Sequence, residues 1–117
     1  MTERDPDCLF CRIVSDEIPS DRVYEDAEII AFNDIAPQTP THVLVIPRRH
    51  IPDAHALTVG DGDLLAKLFR VIRDVGDAAG LENGYRVVTN VGPESGQTVF
   101  HLHFHLLGGR TMGWPPG

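Results

Sequence analysis

The stretch TVFHLHFHLL (98–107) alternates two classes of residue with a period of two. A strand sends successive side chains to opposite faces. The spacing therefore predicts a strand over 98–107 with Leu102, Phe104 and Leu106 on one side and His101, His103 and His105 on the other. Three of the chain's six histidines then stand in a row about 6.6–6.8 Å apart. The apolar side demands a cover, and VGDGDLLAKLFRVIRDVGDAAG (59–80) supplies one. Leu64, Leu68, Ile72, Val75 and Ala79 follow an i, i+4, i+8 stripe with Val71 beside them, while Lys67, Arg70, Arg73 and Asp74 fall on the other side. Asp61 or Asp63 can cap the start of this helix, and Gly80 can end it.

The remaining segments fit around that pair. CLFCRIV (8–14) has the spacing of one or two helical turns. RVYED (22–26) and EIIAFND (28–34) read as a hairpin with acidic residues at its turn. The two prolines of APQTP (36–40) make a loop, and THVLVIP (41–47) reads as a buried central strand ending at Pro47. GYRVVTN (84–90) reads as a strand and VGPESGQ (91–97) as a glycine-rich loop. Strands before and after one long helix predict an α+β fold, an antiparallel sheet with a helix across one face. The chain has 117 residues, 42% of them hydrophobic, which suits one domain over 1–117. Residues 1–7 are expected to be a flexible N-terminus and 108–117 an irregular tail.

Charge narrows the partners. Seventeen acidic residues against ten basic ones give a net charge of -7, without a basic run. A nucleic-acid polymer is therefore excluded as a partner, but a small phosphate held by dipoles is not. The start, MTERDPDCLF, lacks the apolar core of a signal peptide, and no apolar run approaches the ~20 residues of a membrane span. The expected setting is cytoplasmic, with no membrane partner, where Cys8 and Cys11 are poor disulfide candidates.

By residue type alone the histidine row has three readings: a solvated face, a metal site, or phosphoryl chemistry. His is the commonest metal ligand near neutral pH, yet Thr98, Gly108 and Gly109 flank the row with no carboxylate, as a facial-triad oxygenase would require. Phosphoryl chemistry gains from the loop before the strand. Gly92 and Gly96 allow close backbone approach, and the N–H groups of Gln97 and Thr98 with the Thr98 hydroxyl form a candidate anion nest. An imidazole row beside such a nest suits a histidine nucleophile. No Walker sequence is present. Cys8-Leu9-Phe10-Cys11 is half of a common zinc pattern; the alternative is two reduced thiols.

HLHFHLL also resembles the signature of the histidine-triad (HIT) nucleotide hydrolases and transferases. FCRIVSDEIPSDRVYED, FNDIAPQTPTHVLVIPRRHI, NVGPESGQTVFHLHFHLLGGR and the ending WPPG extend the likeness over roughly 8–117. They resemble the histidine-triad nucleotide-binding branch, the purine nucleoside phosphoramidases. The resemblance implies a fold with one long helix, a short N-terminal helix and a sheet continuous across a homodimer. It implies His103 as nucleophile on the α-phosphorus of a nucleoside phosphoramidate, through a nucleotidyl-histidine that water hydrolyses. His105 would contact the phosphate and help protonate the amine, and His42 would complete the triad by orienting the nucleophile. Thr98, where relatives often carry serine, would contact the phosphate along with Gly96 and Gln97. Asp34 would accept ribose hydroxyls, Asn90 would contact the nucleotide, and Phe10, Phe32 and Ile35 would form the slot for the base. Trp114 would reach the partner's site, against packing on its own subunit. His105 resembles hydrolases more than the transferases that carry glutamine there. Some bacterial relatives close a structural zinc site that falls here on Cys8, Cys11, His50 and His101, with no metal needed for catalysis; His55 lies outside every motif. The alternatives are a dinucleoside polyphosphate hydrolase of the same superfamily, a non-catalytic nucleotide-binding scaffold, and a metalloenzyme using the histidine row directly.

Overall fold

The computed structural model describes residues 5–117; residues 1–4 of the expected flexible N-terminus lie outside the described residues. The chain forms α1 (Leu9–Val14), β1 (Arg22–Glu25), β2 (Ile29–Asn33), β3 (Thr41–Pro47), α2 (Gly62–Ala78), β4 (Tyr85–Val88) and β5 (Phe104–Gly108). The five strands make one antiparallel sheet in the order β1-β2-β3-β5-β4. Among the described residues no helix is long and apolar enough to cross a membrane.

The sheet has a core on each face. Ile29, Ala31, Val43, Val45, Leu102, Phe104 and Leu106 pack beneath Leu68, Val71, Ile72 and Val75 of α2. On the opposite face Ile30, Phe32, Leu44 and Ile46 pack against Phe10, Cys11 and Ile13 of α1. β2 and β3 are therefore apolar at nearly every position, because both of their faces are covered. α2 ends as its sequence predicts: Gly80 has φ of +75°, and the Leu81 and Gly80 N–H groups bond Gly76 and Asp77 carbonyls, closing a Schellman cap. Its first expected turn, Val59–Asp61, is a 3₁₀ turn, with Asp61 bonding back to Thr58. Ala79 of the expected stripe is exposed.

One expectation needs correction. Residues 98–103 leave the ladder, with bends at Val99 and His101, because their partners are not strand partners. The Leu102 N–H donates to the Ile51 carbonyl at 2.6 Å, and the Pro47 carbonyl lies 2.8 Å from the His101 ring. Of the three readings of the histidine row, a solvated face does not describe His101 and His103, which pack against Phe10 of α1 and are 0% and 7% exposed. Residues 5–7 form a turn, with the Cys8 N–H on the Asp5 carbonyl at 3.0 Å and the Asp5 N–H toward Cys11 Sγ at 3.4 Å.

Candidate active site

β3 and β5 set the site by register. Leu44 stands opposite His105 and Leu107 opposite His42, so period-two alternation puts His42 and His105 on the α1 face as diagonal neighbours. His42 Nε2 is 2.9 Å from His105 Nδ1. Backbone groups fix the tautomers. The Gln38 N–H donates to His42 Nδ1 at 3.1 Å, so a neutral His42 carries its proton on Nε2 and donates it to His105 Nδ1. His105 is left with an Nε2–H. His103 Nδ1 lies 2.7 Å from the His101 carbonyl. A carbonyl only accepts, so the His103 proton is on Nδ1 and its Nε2 presents a free lone pair.

The same geometry shows what His42 bonds. Its bond is to His105, and the group orienting the expected nucleophile is the His101 carbonyl. His103 also packs edge-on against Phe10, ring centres 5.1 Å apart, and stands 5.0 Å from His105, while the Thr89 hydroxyl donates to the His103 carbonyl at 2.8 Å. Gln38, Thr89 and Pro47 act through main chain or a hydroxyl and carried no sequence signal.

Burial, more than any charge, holds His103 and His42 below the usual imidazole range, with the Asp34 carboxylate opposing it. His105 is pushed down to about 4 by burial first and then by His103 and His42. An unfolded chain takes up a proton on His105 below about 6.5, whereas the folded chain resists until about 4. The unfolded state thus binds more protons in that window, and stability rises with pH. The contribution is fully present above pH ~6.5 and is lost as pH falls toward 4, a loss of roughly 2–3 kcal/mol. Urea unfolding at pH 7.5 and 4.5 should show that drop, and His105→Gln should reduce it; an unchanged difference in the variant contradicts this assignment.

The other expected positions divide. Phe10 and Phe32 meet edge to face at 5.6 Å and are both 5% exposed, whereas Ile35 is fully exposed and is not brought to them. Asp34 accepts the Ala36 N–H on Oδ1 at 2.8 Å and sets Oδ2 3.5 Å from His42 Nε2. Asn90 donates its amide to the Ser95 carbonyl, clamping the glycine-rich loop. Gln97 staples the glycine-rich loop. Its N–H goes to the Gly92 carbonyl, its Oε1 accepts the Gly92 N–H, and its Nε2 bonds the Pro52 and Val99 carbonyls. Gly96 supplies the left-handed residue of that loop at φ +95°, and its N–H is used on Pro93. Thr98 remains exposed beside it. Trp114 is 83% exposed. His55 sits exposed in a short 3₁₀ turn.

A second constellation lies behind His103. Cys8 caps α1, and Cys11 lies one turn on. Cys8 Sγ is 3.4 Å and Cys11 Sγ 3.6 Å from His101 Nδ1, and Cys11 Sγ is 3.3 Å from His50 Nδ1. Zinc–sulfur bonds of about 2.3 Å and zinc–nitrogen bonds of about 2.0–2.1 Å at a tetrahedral angle give a sulfur–nitrogen edge of about 3.5 Å. All four ligand atoms lie within 4.8 Å of one another. The His101 Nε2–H is held by the Pro47 carbonyl, which frees Nδ1 and orients the ring as a ligating histidine requires. The donor set fits zinc.

Comparison with known proteins gives a uniform result. The HIT domain matches residues 15–112. The chain is 49% identical over 111 residues to an uncharacterized HIT-like protein of Synechococcus elongatus, covering 95% of this chain and 97% of the relative. A HIT family hydrolase from Legionella pneumophila superposes with a TM-score of 0.93 at 50% identity, covering 95% of this chain and all of that one. A HIT family hydrolase from Clostridium thermocellum gives 0.91 at 44% identity, over 93% of this chain and 96% of its own.

Proposed function

This chain belongs to the HIT domain family, and we propose that it is a hydrolase cleaving the P–N bond of purine nucleoside 5′-phosphoramidates, of the AMP-amide or AMP-lysine type. The observation that carries this reading is the pair of opposite tautomers, a free Nε2 lone pair on His103 beside an Nε2–H on His105. One imidazole is arranged to attack and its neighbour to donate.

In the proposed reaction His103 Nε2 bonds the α-phosphorus as the P–N bond breaks. The departing nitrogen keeps the bonding pair and takes a proton from protonated His105, since an amine leaves poorly otherwise. Water then attacks phosphorus and returns a proton to His105, and the electrons of the breaking P–N(His103) bond return to His103. Thr98 binds the phosphate, Asp34 the ribose, and Asn90 the nucleotide, with Phe10 and Phe32 bordering the base. Imidazoles handle every proton and bond, so no metal is assigned to catalysis. Zinc is proposed as a structural ion on Cys8, Cys11, His50 and His101, supplying a cross-link between α1 and the segment before β5.

A homodimer is proposed through the unpaired edge of β4, with the exposed Tyr85, and through α2. Trp114 would then lie on the partner's site.

The test is hydrolysis of adenosine 5′-phosphoramidate and AMP-lysine beside a dinucleoside polyphosphate, with and without brief EDTA treatment. The reading predicts that the phosphoramidates turn over fastest and that activity survives EDTA. Preference for the dinucleoside substrate contradicts the branch assignment. Activity lost on chelation with the fold intact points to a metalloenzyme, and tight AMP binding without turnover to a scaffold.

A further inference from the structure

The loop joining β2 to β3 folds so that its two ends meet. The Asp34 N–H donates to the His42 carbonyl at 3.0 Å, one step beyond the Asn33–Val43 pair of the ladder. Inside that closure the Ala36 and Gln38 N–H groups hold Asp34 Oδ1 and His42 Nδ1. Each side chain is held by one backbone donor. The single hydrogen on His42 Nε2 therefore has two acceptors within reach, His105 Nδ1 at 2.9 Å and Asp34 Oδ2 at 3.5 Å.

The two acceptors suit two protonation states. While His105 is neutral, its Nδ1 lone pair takes the His42 hydrogen. Once His105 carries a proton on Nδ1 as well, that lone pair is gone and the two N–H groups confront each other. Asp34 Oδ2 is then the remaining acceptor for the His42 hydrogen, and its charge is opposite to that of the imidazolium. The need is real, because burial favours the neutral ring whereas departure of an amine needs the protonated one. The other titratable groups near His105 are His42 and His103. β4 places Val88 and β3 places Leu44 opposite it, neither of which can supply charge.

Resting on the phosphoramidase reading, we propose that Asp34 is a positioning residue for the acid, receiving the His42 N–H and balancing the charge whenever His105 is protonated, in addition to any contact with ribose. A ribose contact alone and this charge role make different predictions. Asp34→Asn keeps the side chain's shape and an oxygen acceptor but removes the charge.

The first readout is the imidazole NMR titration of His105 in the full chain with AMP bound, which needs no turnover. Asp34→Asn is expected to lower the His105 midpoint by about one pH unit, the size expected for an opposite charge within ~4–6 Å. The second is kcat/KM for an adenosine 5′-phosphoramidate and its 2′,3′-dideoxy analogue. The loss in Asp34→Asn should persist for the analogue at roughly tenfold near pH 7, with the basic limb of the profile moved to lower pH. An unmoved His105 midpoint, or a loss that vanishes with the dideoxy analogue, overturns the proposal. A chain that binds AMP without turnover would sink the phosphoramidase reading while the NMR titration still decides the role of Asp34.

Discussion

Replacing His103 with alanine is expected to lower kcat for the proposed phosphoramidate hydrolysis by on the order of 10⁴–10⁶-fold, with KM changed far less. The argument rests on what the ring does and does not touch. Its Nδ1–H is spent on the His101 carbonyl at 2.7 Å, which leaves Nε2 as the unprotonated nitrogen beside His105. No other imidazole in the row is equivalent: His101 faces two thiols through Nδ1, and His105 Nδ1 is occupied by His42. Thr98 and the Phe10–Phe32 pair survive the substitution, so ground-state binding should largely remain. Loss of a group acting only on the reacting phosphorus lowers kcat and kcat/KM together. Removing a buried ring also costs core contacts with Phe10, so thermal unfolding must accompany the kinetics. A folded variant retaining more than about a hundredth of the wild-type kcat contradicts the assignment of nucleophile.

The second large effect concerns stability. The proposed zinc would join α1 to His50, after β3, and to His101, before β5, through four ligand atoms that lie within 4.8 Å of one another. With free zinc ~1,000-fold above its dissociation constant, binding would stabilise the native state by about 4 kcal/mol. For a chain of this size, Cys11→Ser or full metal removal should lower Tm by roughly 10–20 °C. Metal content by mass spectrometry and calorimetric unfolding check this together. Purified protein with one zinc per chain and a chelator-sensitive Tm is the expected result. Metal-free protein whose Tm is unmoved by Cys11→Ser would contradict it.

The sequence made the skeleton legible wherever one pattern had one physical outcome. THVLVIP could only be a covered strand, and β3 spans Thr41–Pro47. The stripe of Leu68, Val71, Ile72 and Val75 could only be a helix face, and all four are buried under the sheet. Alternation alone could not show where the last strand begins. Leu102 and His103 alternate as strand residues do, but their backbone groups bond Ile51 and Thr89, which are contacts from distant parts of the chain. The site was legible as a set of residue types, less so as a wiring diagram. Nothing in PTH says that His42 bonds His105, because that follows from register across two strands. Gln97 stands beside the glycines like a ligand residue, yet its amide is consumed by the loop that it holds. Main-chain groups such as the Gln38 N–H and the His101 carbonyl decide both tautomers, and they are blind to side-chain identity.

The most direct test of the central claim is to mix the intact chain with an AMP phosphoramidate, quench in alkali during turnover, and map the nucleotidyl group by mass spectrometry. The geometry predicts one AMP on Nε2 of His103 and none in His103→Ala. Label on another residue, or steady turnover with no labelled protein at any quench time, would contradict nucleophilic attack by His103.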